Sequence, residues 1–305
     1  MPFTVTILGS SSALPTSTRF PSAHVLNAHE RLFLIDCGEG TQVQLRRFKQ
    51  KLSRVDSIFI SHVHGDHTLG IFGLISTLNL LGRKNELNIY AHAAFEPVLK
   101  FNLNFFANEI SFPINFNILK TRERGVIFTD SKIEVEAFPL KHRIPSTGFI
   151  FREQPKELNI KKELIEKYTI SFKDIVLIKK GADLTLPSGE VIPNSNLTAE
   201  AAKPVSYAYC SDTMYSESVA ESVKNIDVLY HEATFAHSLA QLAKATGHST
   251  ALQAAKIAAK AGVGKLIIGH FSSRYKHPEV LLNEARTIFP ETYLAEDGLT
   301  ISIRK

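Results

Sequence analysis

The sequence has few cysteines and no long apolar run. Its 305 residues include two cysteines, Cys37 and Cys210, and no tryptophan. Two cysteines cannot build the disulfide framework that holds small secreted domains together, and we interpret both as small buried thiols. No stretch approaches the ~18 uninterrupted apolar residues that a transmembrane helix needs. We therefore expect neither a disulfide scaffold nor a membrane protein.

Residues 1–10 contain neither a basic segment nor a small-residue cleavage site, so we expect them not to be a leader. We therefore expect a cytoplasmic protein. The chain is long enough for one or two domains with a sizeable core. Its 35 basic and 30 acidic side chains leave a net charge of +5, an excess too small to indicate a nucleic-acid partner by itself.

Basic residues are concentrated between positions 40 and 55, where the sequence has no acidic residue. The spacing of the apolar residues predicts a helix over 41–51. A solvated helix face and a phosphate-binding surface both explain such a pattern, and both remain open at this point. The basic residues of the segment are Arg46, Arg47, Lys49, Lys51 and Arg54.

Short apolar strands repeatedly lead into histidine or aspartate. Because polar groups at strand ends are where α/β folds place their sites, we expect these residues to meet. The alternation of strands with helices favours an α/β fold with mixed sheets and helices packed outside. Four strands lead to candidate ligands, namely 55–60 to His62, 132–138 to His142, 205–209 to Asp212 and 266–268 to His270. Further strands are predicted over 3–8, 24–28 and 31–35, and helices over 68–81, 216–224, 250–261 and 278–288.

The strongest motif reads His62-Val63-His64-Gly65-Asp66-His67, with three imidazoles and one carboxylate in six residues. Imidazole nitrogens and carboxylate oxygens are the ligands that Zn²⁺ favours, and a strand-to-helix turn can direct them toward two neighbouring points. A histidine-rich polar loop without metal is the alternative, but such a density of ligands is rare in purely structural segments.

This motif resembles the HxHxDH signature of the metallo-β-lactamase superfamily, and Asp36 matches the first motif of that superfamily. The resemblance implies a four-layer αββα sandwich with two zinc ions per subunit. Two metal ions about 3.5 to 4 Å apart suit in-line displacement at a phosphodiester. The implied ligands are His62, His64 and His142 for one zinc ion, Asp66, His67 and His270 for the other, and Asp212 between them.

Finer motifs are similar to ribonuclease Z, and the similarity extends over essentially the whole chain. The resemblance implies a zinc-dependent endoribonuclease that removes the 3′ trailer of precursor tRNA. The products would be a tRNA with a 3′-hydroxyl and a trailer with a 5′-phosphate. The motifs are Phe33–Gln42, Pro145–Phe149, His231–Thr234 and His248–Thr250.

In that family a glutamate and a histidine are thought to cooperate in proton transfer, and the resemblance assigns these roles to Glu232 and His248. Glu232 would orient His248 and raise its pKa, and His248 would protonate the departing 3′-oxygen. Asp66 would bind zinc and also accept the proton of the attacking water. We interpret His231 as a support of its loop rather than as a catalytic residue.

The charge-rich segment 152–203 interrupts the alternation and resembles the flexible arm with which the family grips tRNA. We therefore predict a single domain over 1–305 with this segment as an inserted tRNA-binding arm. Relatives often carry a Gly-Pro pair there, which this chain lacks, so the mode of contact remains open. With an RNA substrate implied, the candidate phosphate-binding residues are Arg46, Arg47, Lys179 and Lys180.

Other functions remain possible on this sequence. The resemblance implies a homodimer, but the same metal ligands would also serve a small-molecule phosphodiesterase or an arylsulfatase of the same fold. A zinc-stabilised RNA-binding protein without turnover is less favoured, because structural zinc sites typically close with four protein ligands. The inserted arm is the feature that favours RNA over a small molecule.

Overall fold

The computed structural model describes residues 2–106 and 109–304. It contains two compact units, one formed by residues 1–152 and 205–305 and the other by residues 153–204. The larger unit carries every residue to which a metal-binding or catalytic role was assigned. No helix in the described parts of the chain is long and apolar enough to span a membrane.

Strands and helices alternate along most of the described chain. The strands are β1 (Phe3–Gly9), β2 (Ala23–Ala28), β3 (Arg31–Ile35), β4 (Val55–Phe59), β5 (Leu87–Ala91), β6 (Ile114–Ile118), β7 (Gly125–Thr129), β8 (Ile133–Leu140), β9 (Ser146–Glu153), β10 (Asn159–Ile160), β11 (Leu184–Thr185), β12 (Val191–Ile192), β13 (Thr198–Ala199), β14 (Ser206–Cys210), β15 (Val228–Glu232), β16 (Lys265–Gly269), β17 (Thr292–Leu294) and β18 (Thr300–Ser302). The helices are α1 (Thr41–Arg47), α2 (Gly65–Thr68), α3 (Gly70–Leu80), α4 (Phe95–Phe106), α5 (Lys162–Lys167), α6 (Phe172–Lys179), α7 (Asn194–Leu197), α8 (Glu217–Ser222), α9 (Ala240–Thr246), α10 (Ala251–Ala261) and α11 (Glu279–Arg286).

Two seven-stranded mixed sheets form the centre of the larger unit. The first has the order β18-β1-β2-β3-β4-β5-β6 and the second has the order β17-β16-β15-β14-β9-β8-β7. Strands β3, β4, β5 and β6 are parallel neighbours, as are β14, β15, β16 and β17. Because parallel neighbours end on the same side, each sheet gathers the residues that follow its strands at one edge.

The two faces of the first sheet pack into different apolar layers. On β3, Phe33 and Ile35 contribute to the cluster shared with the second sheet, whereas Leu32 and Leu34 pack with residues of helices α1 and α3. This alternation follows from the two-residue period of a strand. Helix α10 packs on β15 and β16 of the second sheet. The predicted αββα layering is confirmed.

Helix α10 has clear sequence signals at both ends, and its predicted extent is confirmed. The hydroxyl of Thr250 accepts a hydrogen bond from the backbone N–H of Gln253, whose side chain accepts from the backbone N–H of Thr250. Gly262 ends the helix in the left-handed region at φ 62°. Small buried residues such as Ala254 and Ala258 form the face toward the sheet.

Two helix predictions were wrong in their bounds. The helix expected over 41–51 ends at Arg47, because Lys49 takes a positive φ of 56° that no α-helix accommodates. Lys51 and Arg54 therefore lie outside it. The helix expected over 68–81 begins earlier, as the short α2, and continues after Leu69 as α3. The metal-binding motif thus runs directly into a helical turn.

The smaller unit has a core of its own. Its described strands form two two-stranded sheets, β10 with β13 and β11 with β12. The hydroxyl of Ser171 caps α6 by accepting from the backbone N–H of Asp174. The buried side chains of this core are Ile170, Ile178, Leu184, Ile192 and Leu197. The tRNA-binding role assigned to this segment stays a prediction.

Gly70 allows α3 to lie against the turn that follows β3. An added Cβ at Gly70 would lie 1.9 Å from the backbone oxygen of Gly38, whereas an added Cβ at Gly73 would meet only the movable end of the Gln42 side chain. We expect Gly70→Ala to destabilise the protein by about 1–3 kcal/mol, because backbone must shift. Thermal unfolding with Gly73→Ala as the matched control measures this, and equal melting temperatures would contradict it.

Candidate metal centre

The ends of six strands bring the candidate site together, and one of them is β8, which is followed by His142. Asp36 follows β3 directly, and His62 lies just beyond the parallel neighbour β4. In the second sheet Asp212 follows β14, Glu232 ends β15 and His270 follows β16. Since β14, β15 and β16 are parallel neighbours, these three side chains share one edge. The expected convergence of strand ends is what the structure shows.

The seven residues predicted to bind metal lie in two adjoining groups. Within each group the possible ligand atoms all lie within 4.8 Å of one another. The first group is His62, His64, His142 and Asp212, and the second is Asp66, His67 and His270.

Asp212 faces both groups with different oxygens. Its Oδ2 lies 3.5 Å from Nε2 of His62 and 3.8 Å from Nε2 of His142. Its Oδ1 lies 3.5 Å from Nε2 of His67 and 3.2 Å from Nε2 of His270. One carboxylate therefore offers an oxygen to each of the two groups.

The spacing of the ligand atoms fits metal ions. Atoms bonded at about 2.0–2.2 Å to one ion with tetrahedral angles lie roughly 3.3–3.6 Å apart. In the second group, Asp66 Oδ2 lies 3.4 Å from Nε2 of His67 and 3.5 Å from Nε2 of His270. In the first group, His62 Nε2 lies 3.5 Å from Asp212 Oδ2, within this range, whereas His62 Nε2 and His64 Nδ1 are 3.0 Å apart, closer than this range and at hydrogen-bond distance.

Several atoms of this cluster are buried without a hydrogen-bond partner. An unpaired polar atom in the interior is costly, and four such atoms lie in the two adjoining groups. One metal ion in each group would satisfy them. The atoms are Nε2 of His67, His142 and His270, and Oδ1 of Asp212.

Asp36 holds His67 in place from behind. The fully buried carboxylate accepts hydrogen bonds from the backbone N–H and the hydroxyl of Ser61, at 2.7 and 2.9 Å, and from the hydroxyl of Tyr209, at 2.7 Å. It also accepts from Nδ1 of His67 at 2.7 Å. This last bond fixes the tautomer and leaves Nε2 of His67 with its lone pair toward the metal position.

Two further ligands are oriented in the same way. Nδ1 of His142 donates to the backbone oxygen of Gly247 at 2.7 Å. The hydroxyl of Thr234 donates to Glu232 at 2.8 Å, so it accepts from Nδ1 of His270 at 2.9 Å. In each histidine the bond to Nδ1 leaves Nε2 free to bind metal.

Most pKa shifts in the cluster favour the forms that bind metal, and His67 is the exception. Burial lowers the pKa of His67, but the carboxylates of Asp66, Asp36 and Asp212 outweigh burial and raise it well above its ordinary value, so a metal ion at this position would displace a proton. Burial opposes ionisation of Asp212, but the neighbouring imidazoles of His270, His67 and His62 outweigh burial and hold the pKa of that carboxyl well below its usual range. Burial lowers the pKa of His62 well below its ordinary value, and the neighbouring His67 lowers it further. Ionised carboxylate and neutral imidazole are the forms required of metal ligands.

Glu232, which is fully buried, and His248, which is partly buried, form a pair beside these two groups. Oε1 of Glu232 lies 3.0 Å from Nδ1 of His248 and also accepts from the backbone N–H of Ser249 at 2.9 Å. Burial lowers the pKa of His248, but the Glu232 carboxylate outweighs it and raises that pKa to about 9. The His231 side chain is not part of this pair, since its Nδ1 donates a hydrogen bond to the backbone oxygen of Glu232 at 2.7 Å.

A cleft of about 410 Å³ gives access to the cluster. Asp66, Asp212 and His248 line it, together with Phe235 and Arg143. The cleft therefore gives access to one carboxylate from each group, Asp212 and Asp66, and to His248, the residue predicted to act as an acid.

The four predicted phosphate-binding residues do not line this cleft. Arg46 and Arg47 are exposed on α1, where the Arg47 guanidinium lies 5.6 Å from the centre of the Phe48 ring. In the smaller unit Lys179 forms an ion pair with Glu157 at 3.1 Å, and Lys180 is exposed at the end of α6. Contact of these residues with RNA stays a prediction.

Sequence reasoning missed three residues of the site. Tyr209 and Thr234 support ligands from other elements, and Arg143 lines the cleft. Thr234 belongs to the His231–Thr234 motif, and Arg143 adjoins His142, so proximity to a motif was the available signal. Tyr209 ends the strand predicted over 205–209 and lies three residues before Asp212, but its contact with Asp36, across 173 positions of the sequence, had no local signal.

Known proteins resemble this chain over its full length. A family model described as anti-Pycsar protein Apyc1 matches residues 3–181. Ribonuclease Z of Bacteroides thetaiotaomicron is 47% identical over 301 residues, which are 99% of this chain and 95% of the relative. Ribonuclease Z of Porphyromonas gingivalis W83 is 40% identical over 301 residues, 99% of each.

Solved structures share the fold. Human tRNase Z, short form, has a TM-score of 0.71 and 27% sequence identity, and the match covers 98% of this chain and 99% of that one. The metallo-β-lactamase fold protein YhfI of Bacillus subtilis has a TM-score of 0.70 at 18% identity, covering 99% of each chain. The match to the family model ends at residue 181, whereas the alignments with the relatives named ribonuclease Z continue beyond it. They include the segment that contains Asp212, Glu232, His248 and His270.

Removing the carboxylate shared by both groups tests the metal centre. Altering a residue that only supports a metal ligand weakens metal affinity by roughly 10–100-fold. Because Asp212→Ala removes a predicted ligand itself, we expect it to weaken metal affinity by at least this much. Elemental analysis and competition with a chelator measure this. His237→Ala is the matched control, because this exposed histidine belongs to neither metal group. Unchanged metal affinity of Asp212→Ala would rule out the assigned ligand set.

Proposed function

The chain belongs to the ribonuclease Z family, and from this premise we propose that it is a zinc-dependent endoribonuclease that removes the 3′ trailer of precursor tRNA. The observation that carries the proposal is the joint presence of two adjoining metal-binding groups and the Glu232–His248 pair beside one cleft. Relatives named ribonuclease Z that align with 99% of the chain support the RNA substrate.

Two zinc ions per subunit are the proposed metals. The donor set of imidazole nitrogens and carboxylate oxygens supports zinc, and the two oxygens of Asp212 directed to different groups support two ions. When bound, the two ions would lower the pKa of the attacking water and stabilise charge on the phosphate oxygens.

The side chains of the cleft would move the protons. Asp66 accepts the proton of the attacking water, since its carboxylate lines the cleft and belongs to the second metal group. The water oxygen bonds to phosphorus as the bond from phosphorus to the 3′-oxygen breaks. His248 donates a proton to that departing oxygen. The products are a tRNA with a 3′-hydroxyl and a trailer with a 5′-phosphate.

Glu232 would keep His248 ready to donate. A histidine must carry its proton before the bond breaks, and the Glu232 carboxylate that raises the pKa of His248 to about 9 supplies this condition at neutral pH. Glu232 is itself fixed by the backbone N–H of Ser249 and by both donors of Thr234. The pair is therefore positioned before substrate arrives.

The segment over 152–203 is proposed to bind tRNA away from the cut. Its separate core supports this, since such a segment can fold around its own apolar residues while its surface serves binding. Its exposed lysines, Lys180 among them, would contact phosphates, which gives salt-sensitive and sequence-independent affinity.

A homodimer and a cytoplasmic location are further parts of the proposal, which the resemblance to ribonuclease Z supports.

A labelled precursor tRNA tests the function directly. We expect metal-loaded wild-type protein to release the trailer in one cut and to leave a 3′-hydroxyl on the tRNA, as end-group analysis would show. Asp66→Ala should cut at least 100-fold more slowly, since it loses a metal ligand and the proton acceptor. Absence of cleavage by the wild type, or equal rates for both proteins, would refute the proposal.

The same assay distinguishes the rival, a small-molecule phosphodiesterase or arylsulfatase. Deletion of residues 155–200 should abolish processing of precursor tRNA and spare hydrolysis of bis(p-nitrophenyl) phosphate, because this small diester needs only the metal cleft. Equal loss of both activities in a variant that retains its metal would favour the rival.

The proposed acid has its own test. His248→Ala should slow cleavage of the normal precursor by about 10²–10⁴-fold, the usual contribution of general acid catalysis. With sulfur in place of the 3′-oxygen at the cut, the variant should approach the wild-type rate, because a thiolate leaves without being protonated. An equal deficit on both substrates would show that His248 does something other than donate this proton.

A further inference from the structure

Arg143 is the one lysine or arginine among the described residues that line the catalytic cleft. The rest of the lining consists of acidic, histidine, small polar and apolar residues. Arg143 is exposed, and among the described residues its guanidinium makes neither a hydrogen bond nor an ion pair. A cation without a partner at the mouth of this cleft is available for a ligand.

The stem of Arg143 is held next to the proposed acid. Arg143 follows His142, whose Nδ1 donates to the backbone oxygen of Gly247, the residue directly before His248. An added Cβ at Gly247 would lie 3.2 Å from Cγ of Arg143, so the aliphatic part of the arginine packs along this turn. The backbone and stem are therefore positioned, while the guanidinium remains free.

Arg274, the other arginine near the cleft, has partners already. Its guanidinium carbon lies 5.0 Å from the centre of the Phe235 ring, and its Nε donates to the hydroxyl of Ser272 at 3.0 Å. Both partners line the cleft, but Arg274 itself does not. Arg143 differs in having no such contact.

We propose that Arg143 binds the RNA phosphate that flanks the scissile phosphate. This inference rests on the proposed function and names one contact to its substrate. The side chains of the metal ligands His62, His142 and Asp212 are almost fully buried, so the scissile phosphate must enter the cleft, whereas Arg143 stays at its exposed rim. A guanidinium matches a phosphate with two parallel hydrogen bonds, a geometry that lysine cannot copy.

Matched variants test the contact. We expect the kcat/KM for precursor tRNA to fall about 10-fold in Arg143→Ala and to fall less in Arg143→Lys. The slope of log(kcat/KM) against log salt should fall by about one for Arg143→Ala. Lys141→Ala, which removes the same charge two residues away and outside the cleft lining, should change neither. Equal slopes and rates for Arg143→Ala and the wild type would overturn the proposal.

Precursors with one uncharged methylphosphonate linkage identify the phosphate. The linkages before, at and after the cut are replaced one at a time. At one flanking position, replacement should slow the wild type by about 10-fold and leave the rate of Arg143→Ala nearly unchanged, because the partner is already missing. Additive effects at both flanking positions, or coupling only at the scissile linkage, would overturn the assignment.

Failure here is separable from failure of the proposed function. If the wild type does not cut the unmodified precursor, the proposed function fails. If it cuts and Arg143→Ala behaves identically, the function stands and the role of Arg143 falls. Metal content of Arg143→Ala should equal that of the wild type, and a loss of metal would show that the residue supports His142 instead of binding phosphate.

Discussion

The fixed position of the Asp36 carboxylate is the constraint on which the site depends. Asp36 and Ser61 follow strands β3 and β4 of the first sheet, and Tyr209 lies in β14 of the second, so the hydrogen bonds that meet at this buried carboxylate join the two halves of the sandwich. The same carboxylate sets the tautomer and direction of His67. Because His67 lies beside both Asp66 and Asp212, its orientation fixes where the second metal position can be.

Electrostatics makes this arrangement costly without a cation. Buried carboxylates and imidazoles lie 3.2 to 3.8 Å apart around Asp212 with their lone pairs directed inward. Such groups are stable in the interior only when they are paired or bind metal. Glu232 is buried as well, but its oxygens are satisfied by backbone N–H groups, Thr234 and His248. The two carboxylates thus differ in their surroundings: Asp212 has an oxygen without a hydrogen-bond partner, whereas the oxygens of Glu232 are satisfied.

Motifs and elements that are local in the chain could be predicted from the sequence, whereas contacts between residues that only the fold brings together were missed. The motif from His62 to His67 is visible because its ligands are neighbours in the chain, and the strand ends at Asp212 and His270 follow from apolar periodicity. The early end of α1 was missed, because the positive φ of Lys49 has no glycine to signal it. The contact of Tyr209 with Asp36 was missed because it joins different sheets.

Anomalous diffraction at the zinc absorption edge, from crystals grown with zinc, would locate bound metal ions in this site. We expect two peaks per subunit, one among His62, His64 and His142 and one among Asp66, His67 and His270, with Asp212 contacting both. A single peak, or peaks bound by other residues, would contradict the assignment of a two-metal hydrolytic centre.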